Sequence, residues 1–139
     1  MSQIDQVLYT GRTHTIAGRD GSARSDDGRL DIKLSRPGGP GAGTNPEQLF
    51  AAGWSACFLG AMARAAQKMN LRLPPDASVD AEVDLGSGGD EFFLQARLWV
   101  NVPGLDRETT QALADAAHQI CPYSKSTRGN IDVQIAVAA

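Results

Sequence analysis

Residues 43–58 read GTNPEQLFAAGWSACF, and this stretch decides the fold because it predicts one long central helix. Asn45 is placed as the N-cap, Pro46 occupies the first helical position, and Gln48 is spaced for a capping box. Small and apolar residues follow, so we expect the helix to extend to residue 69. The stretch also carries Cys57 among apolar neighbours, which is typical of a side chain that faces a protein interior.

The second informative stretch is residues 118–130, HQICPYSKSTRGN, which carries Cys121. An amphipathic pattern capped by Asp106 precedes it and predicts a helix whose apolar stripe Cys121 extends. The chain contains 2 cysteines. Two thiols in apolar surroundings indicate either inert packing or one redox couple, and the pattern alone leaves both open.

Segments of alternating apolar and polar residues predict the strands that accompany these helices. They cover residues 6–17, 29–35, 78–85, 91–102 and 131–137, with a hairpin connection at 18–28, a left-handed helix stop at Asn70 and a turn at 86–89. The predicted order is ββαββαβ. This is an α+β chain in which helices pack on antiparallel sheets.

The two cysteine runs closely resemble the two cysteine motifs of organic hydroperoxide resistance proteins (Ohr), a branch of the OsmC/Ohr family. The segments LYT at 8–10, GRDG at 18–21 and SDDG at 25–28 fit the same family. The resemblance therefore runs from about residue 7 to the C-terminus. It implies an OsmC-like fold, an intertwined homodimer, and a thiol peroxidase without metal or flavin cofactor. A dihydrolipoyl-bearing protein is the implied dithiol reductant.

The resemblance implies that Cys57 is the nucleophile and that Cys121 is the resolving thiol of a Cys57–Cys121 disulfide. Attack on the distal oxygen of a peroxide needs a thiolate and leaves a sulfenic acid on the sulfur. A free cysteine has a pKa of about 8.5, so a reactive one needs a cation or a helix N-terminus nearby. Without the resemblance, each thiol can be interpreted as a small buried hydrophobe.

The implied cation is Arg19, with Glu47 as its anchor. On other grounds Arg19 is a solvated loop residue, and Glu47 is a first-turn carboxylate favoured by the helix dipole. Ten residues of continuous helix would separate Glu47 from Cys57 by about 15 Å, a gap that one arginine does not readily bridge. We therefore expect the helix to break near residues 53–55, with Ser55 capping a second segment that begins just before Cys57.

The substrate site is expected to be apolar, which favours alkyl and fatty acid hydroperoxides over hydrogen peroxide. Its predicted walls are Leu49, Phe50, Phe58 and Met62, with Trp99 or Phe93 as further candidates. No metal site is expected, because His14 and His118 lack the paired ligands at short spacing that zinc sites use.

Composition limits the other classes of function. A chain of 139 residues with 42% hydrophobic content predicts one domain over residues 1–139. A net charge of −3 and the absence of long basic runs argue against binding to nucleic acid or anionic membranes. Because no stretch resembles a signal peptide or approaches the length of a membrane span, we expect a cytoplasmic protein. In that reducing compartment a disulfide is more often catalytic or sensing than structural.

Two rival interpretations remain open at this stage. The first is a non-enzymatic redox sensor or a small-ligand binding module on the same fold, although no basic helix suited to DNA recognition is present. The second treats both thiols as inert parts of the core. Turnover with a dithiol distinguishes an enzyme from a sensor, and thiol titration of the folded protein reveals inert thiols.

Overall fold

A computed structural model describes residues 3–138, which form two compact units. The first unit ends at Pro46 and the second begins at Glu47. Along the chain the elements follow the order βββαββααβ. The α+β class is therefore confirmed, with one strand and one short helix more than the predicted order. The assignment of residues 1–139 to a single domain stays a prediction.

The N-terminal unit contains a three-stranded antiparallel sheet in the order β1-β2-β3. Its strands are β1 (Thr13–Ile16), β2 (Ser22–Ser25) and β3 (Asp31–Lys33), and a single 3-10 turn (Gly18–Asp20) connects β1 to β2. The expected strand at 6–17 is thus confined to its last part. The expected hairpin connection at 18–28 is wrong, because it contains β2.

Strand β2 escaped prediction because its sequence, SARS, has no apolar alternation. It is held instead by backbone ladders to β1 on one edge and to β3 on the other. Ala23 is its buried side chain. Backbone pairing on both edges can fix a polar strand that side-chain burial would not specify.

Helix α1 (Pro46–Lys68) belongs to the second unit from Glu47 onward and is continuous over 23 residues. The predicted break near residues 53–55 is therefore wrong. The hydroxyl of Ser55 donates to the carbonyl oxygen of Ala51 at 2.8 Å, so it bonds within the helix rather than capping a new one. Gly53 costs a helix about 1 kcal/mol relative to alanine. Full burial of Trp54 and Phe58 outweighs that cost, because each such side chain contributes about 2 kcal/mol or more.

The other end of α1 follows the prediction within one residue. Asn70 has the left-handed backbone expected of a helix stop, with φ of 57°. By length and composition alone, α1 is apolar enough to cross a membrane, which corrects the expectation that no stretch approaches a span. Core helices pass the same test, and α1 packs a row of side chains into the core of its unit: Trp54, Phe58, Ala61, Met62, Ala65 and Ala66.

The sheet of the second unit has the order β4-β5-β6. Strands β4 (Ser78–Gly88) and β5 (Glu91–Asn101) form an antiparallel hairpin, with Val79 opposite Val100 and Leu85 opposite Leu94. Strand β6 (Asp132–Val137) runs parallel to β5, which corrects the prediction of purely antiparallel sheets. The reason lies in the connection, because the helical segment between β5 and β6 returns the chain in the direction of β5.

That connection consists of two helices, α2 (Arg107–Ile120) and α3 (Pro122–Thr127). Asp106 caps α2 as predicted, since its carboxylate accepts a hydrogen bond from the backbone N–H of Thr109 at 2.7 Å. The core of the unit lies between α1, α2 and one face of the sheet. Its largest wholly buried side chains are Trp54, Phe58, Met62, Leu98, Val100 and Leu113, together with Cys121.

Candidate active site

Helix α1 presents one face that carries Phe50, Trp54 and Cys57. The spacing of four and then three residues places these side chains one above another along the helix. Trp54 has no solvent exposure, while Phe50 and Cys57 are half-buried. Phe50 packs edge-on against Trp54 with ring centroids 5.6 Å apart. Cys57 thus lies at the edge of the core, partly accessible and in apolar company.

Cys121 lies at the junction of α2 and α3 rather than inside either helix. Its backbone is extended, with φ of −63° and ψ of 123°, as expected for a residue that precedes a proline. Its N–H donates to the carbonyl of Ala117, and its own carbonyl accepts from the N–H of Lys125. The residue closes one helix and opens the next. Its thiol is wholly buried.

The two sulfurs meet. The Sγ of Cys121 donates a hydrogen bond to the Sγ of Cys57 over 3.3 Å, and both residues are free thiols. A disulfide requires an S–S distance of about 2.05 Å. The pair therefore lies close to bonding distance, and small side-chain rotations would complete the approach.

The segment after Cys121 packs on the same face of α1. The indole N–H of Trp54 donates to the hydroxyl of Ser124 at 3.2 Å, and both side chains are fully buried. The ring of Tyr123 lies edge-on to Phe50, with centroids 6.1 Å apart. It also covers Gly53, where an added Cβ would lie 3.2 Å from the tyrosine oxygen. The absence of a side chain at Gly53 thus lets α3 approach α1 closely.

Burial raises the pKa of the Cys57 thiol above its usual value. The backbone N–H of Tyr123 opposes this rise by hydrogen bonding to the sulfur, and the adjacent Cys121 adds to it. The contacts within the second unit therefore favour the thiol over the thiolate. A cation beside the sulfur would oppose that preference.

The family model described as "OsmC-like protein" matches residues 39–136 of the chain. The chain belongs to this family. An organic hydroperoxide resistance protein of Xanthomonas axonopodis pathovar citri is 48% identical over 142 residues, covering 99% of this chain and all of the relative. The relative OhrB of Bacillus subtilis is 44% identical and covers 93% of this chain and 97% of its own length. The crystal structure of OhrB superposes with a TM-score of 0.89, covering 95% of this chain and 100% of that one. The resemblance to the Ohr branch is therefore confirmed.

In this OsmC-like chain the other two predicted catalytic residues lie apart from the sulfur pair along the sequence. Glu47 is half-buried in the first turn of α1, ten residues before Cys57 on an unbroken helix. Arg19 is half-buried in the 3-10 turn of the N-terminal unit. The carboxylate of the next residue, Asp20, lies 2.7 Å from the guanidinium of Arg36. The roles of Arg19 and Glu47 stay predictions.

The four predicted substrate residues divide into two groups. Leu49 and Phe50 are half-buried on the first turns of α1. Phe58 and Met62 have no exposure and pack in the core of the OsmC-like chain, so the structure gives them a packing role. Trp99 is half-buried on β5, and Phe93 on the same strand is exposed. Their contact with a substrate stays a prediction.

Sequence reasoning missed several residues around Cys121. Arg128 donates to the backbone carbonyl of His118, near the end of α2. Burial, and then the positive charge of Arg128, lower the pKa of His118, so the imidazole is neutral near pH 7. Tyr123 and Ser124 directly follow Pro122, the residue after Cys121. This closeness to the cysteine in the sequence is the signal that could have identified them as residues of the site. Within residues 3–138, no three side chains of the types His, Cys, Asp or Glu come together in a group that could hold a metal ion.

Proposed function

We propose that this protein detoxifies organic hydroperoxides as a thiol peroxidase that uses a Cys57–Cys121 cycle. The observation that carries the proposal is the 3.3 Å contact between the two sulfurs, one half-buried and one wholly buried. An accessible thiol backed by a second thiol within bridging reach is the arrangement that peroxide reduction followed by disulfide formation requires. The names of the relatives, organic hydroperoxide resistance proteins, support the same class of substrate.

In the first chemical step the Cys57 thiolate attacks the distal oxygen of the hydroperoxide. The O–O bond breaks, the alkoxide leaves and takes a proton to become an alcohol, and Cys57 becomes a sulfenic acid. In the second step the thiol of Cys121 displaces the hydroxyl group as water and closes the disulfide. A dithiol reductant then restores both thiols. We propose a dihydrolipoyl group in this role, with no metal or flavin cofactor.

Activation of Cys57 is assigned to Arg19, oriented by Glu47. The proposal is supported by the raised pKa of Cys57. Burial raises this pKa, and the backbone N–H of Tyr123 opposes the rise without overcoming it. A guanidinium beside the sulfur would favour the thiolate, and a carboxylate would hold that guanidinium by a charge-assisted pair. Because α1 is continuous, the N-terminal dipole of the helix lies too far from Cys57 to serve instead.

Substrate preference is assigned to apolar contacts. Leu49 and Phe50 offer half-buried apolar surface on the helix that carries Cys57. Phe58 and Met62, on the same helix, are buried in the core. Burial of an alkyl chain contributes about 0.8 kcal/mol for each CH₂ group, so fatty acid hydroperoxides should react better than hydrogen peroxide. We place the enzyme in the cytoplasm, with neither nucleic acid nor membrane as a partner.

The test of the function is steady-state peroxidase activity with a panel of dithiols and hydroperoxides. Dihydrolipoamide with an alkyl hydroperoxide is expected to support many turnovers. Hydrogen peroxide and monothiols are the comparison arms. A protein that consumes one equivalent of peroxide and then stops in the presence of every dithiol would instead be a redox sensor, and one that consumes none would contradict both functions.

Replacing Cys121 by serine should leave the first oxidation intact and remove the second step. Cys57 should then accumulate as sulfenic acid and, with excess hydroperoxide, as sulfinic acid. Intact-mass spectra after peroxide treatment measure this as added oxygen, whereas the wild-type protein should lose two hydrogens. A variant whose Cys57 stays unoxidised would contradict the scheme.

We also propose a homodimer, because the chain leaves large apolar side chains exposed. Phe92 and Phe93 at the β4–β5 hairpin are 75% and 55% exposed, and Leu8 and Tyr9 are 87% and 81% exposed. Such surface is usually covered by a partner.

Light scattering at micromolar concentration should give twice the chain mass of 14.7 kDa. Phe92→Ser should weaken the association, and Glu91→Ser, at the neighbouring exposed position, should not. A monomeric wild-type protein would refute the dimer.

A further inference from the structure

Two of the side-chain hydrogen bonds between α1 and the segment that begins at Cys121 are arranged as a pair. On α1, Trp54 lies one turn before Cys57. On the other segment, Ser124 lies one turn after Cys121. The indole N–H of Trp54 meets the Ser124 hydroxyl at 3.2 Å, and the two sulfurs meet at 3.3 Å. The hydrogen bond and the sulfur pair thus connect the same two pieces of backbone at neighbouring positions.

The Trp54–Ser124 bond is wholly enclosed. Both side chains have no solvent exposure, so water does not replace either partner when the bond is broken. A buried N–H without an acceptor is strongly disfavoured, which makes the bond a firm connection rather than an exchangeable one. The ring of Tyr123, seated over Gly53 and edge-on to Phe50, adds contacts between the same two helices.

The position of Cys121 matters most in the second chemical step. The Cys121 sulfur must form a bond with the Cys57 sulfur while the S–O bond of the sulfenic acid breaks. The hydroxyl group leaves with the thiol proton as water. This closure competes with a second hydroperoxide molecule, which would oxidise the sulfenic acid to sulfinic acid. The sulfurs must approach from 3.3 Å to about 2.05 Å, so the orientation of the Cys121 segment controls which reaction wins.

We propose that Trp54 and Ser124 are positioning residues for the resolving step, and that their hydrogen bond holds Cys121 where it captures the Cys57 sulfenic acid. The inference rests on the proposed peroxidase cycle. It assigns no contact with substrate to either residue. It separates two steps that steady-state activity combines, because the bond guides closure of the disulfide directly, whereas it reaches the initial attack on peroxide only through the backbone N–H of Tyr123 beside the Cys57 sulfur.

The test follows one round of oxidation in Ser124→Ala, Trp54→Phe and the wild type. Each reduced protein is mixed with one equivalent of an alkyl hydroperoxide, and sulfenic acid and disulfide are followed by dimedone trapping and intact mass. Formation of sulfenic acid should slow by much less than closure of the disulfide. Closure of the disulfide should slow about tenfold in either variant, the effect expected from loss of one well-placed buried hydrogen bond. With excess hydroperoxide, the sulfinic acid fraction should rise correspondingly.

Thr127→Val is the matched control. Thr127 is a buried residue of the same short helix, but its hydroxyl bonds to carbonyls within α3 rather than to α1. The control removes a buried hydroxyl from α3 and leaves the connection to α1 in place. Closure in this variant should proceed at the wild-type rate. Slowing equal to that of Ser124→Ala would assign the effect to general loosening of α3 and overturn the proposal.

The double variant Trp54→Phe/Ser124→Ala completes the test. If the hydrogen bond is the cause, closure in the double variant should be no slower than in the more affected single variant, because one bond is lost once. Multiplied effects would show that the two residues act separately and would overturn the proposal. Wild-type closure rates in both single variants would also overturn it while leaving the peroxidase cycle intact. A wild-type protein that forms no disulfide would refute the cycle itself, and the inference with it.

Discussion

Replacing Cys57 by serine is expected to abolish hydroperoxide reduction, with a loss of roughly 10³-fold or more in turnover. The structural reason lies in the sulfur pair itself. Cys57 is the half-buried member of the sulfur pair, whereas Cys121 is wholly buried behind it. A serine hydroxyl is not ionised near neutral pH and cannot form the sulfenic acid on which the cycle depends. Peroxide consumption with a saturating dithiol measures the effect.

Ser55→Ala is a suitable control for this substitution. Ser55 lies on the same helix, and its hydroxyl bonds to the Ala51 carbonyl without contributing a sulfur. This variant should retain activity close to that of the wild type. Substantial turnover in Cys57→Ser would mean that Cys121 or another group reduces the peroxide, and the assignment of the nucleophile would be wrong.

Local sequence signals predicted much of the framework that holds the sulfur pair. Asp106 caps α2, Asn70 adopts the left-handed stop after α1, and β4 and β5 form the predicted hairpin, although its turn lies at residues 89–90 and the expected turn at 86–89 is wrong. Each of these sequence signals affects the backbone only within a few residues of its own position. Such features depend on backbone geometry and on one or two side chains, and these are legible in a single sequence.

The proximity of Cys57 and Cys121 was not predictable from the residues themselves, because it depends on how α1 packs against the α2–α3 junction. The same holds for the Trp54–Ser124 bond, which joins residues 70 positions apart. The failed prediction of a helix break has a related cause. Gly53 was expected to weaken α1. Because Gly53 has no side chain, however, the ring of Tyr123 can pack closely against the helix at this position. Tertiary packing thus overrode local propensity.

The continuous helix sharpens the question of what activates Cys57. A break would have placed the thiol at a helix N-terminus, where the helix dipole favours the thiolate. Because α1 is continuous, the dipole does not act on Cys57 in this way. Among the described residues of the second unit, the backbone N–H of Tyr123 lowers the pKa of Cys57, which burial raises. Either a cation supplies the rest or the thiol reacts through a small thiolate fraction. The two cases differ in their dependence on pH.

Arg19→Ala should raise the pKa of Cys57 and slow its reaction at neutral pH. Below the thiol pKa the thiolate fraction falls tenfold for each unit by which that pKa rises, so loss of an adjacent cation should slow alkylation about tenfold or more. The measurement is the rate of iodoacetamide alkylation against pH in a Cys121→Ser background, where Cys57 is the remaining thiol. The profile of Arg19→Ala should move to higher pH, and Arg19→Lys should partly restore it.

Arg29→Ala is the charge-matched control, because Arg29 belongs to the same N-terminal unit and its side chain is 90% exposed. Its alkylation profile should coincide with that of the parent, which distinguishes the effect of a local cation from the effect of the protein's net charge.

Glu47→Gln should move the profile in the same direction as Arg19→Ala and by less, since a glutamine orients a guanidinium more weakly than a carboxylate does. Identical profiles in all four variants would leave the backbone N–H of Tyr123 as the group that favours the thiolate, and Arg19 would be a loop residue without a part in the chemistry.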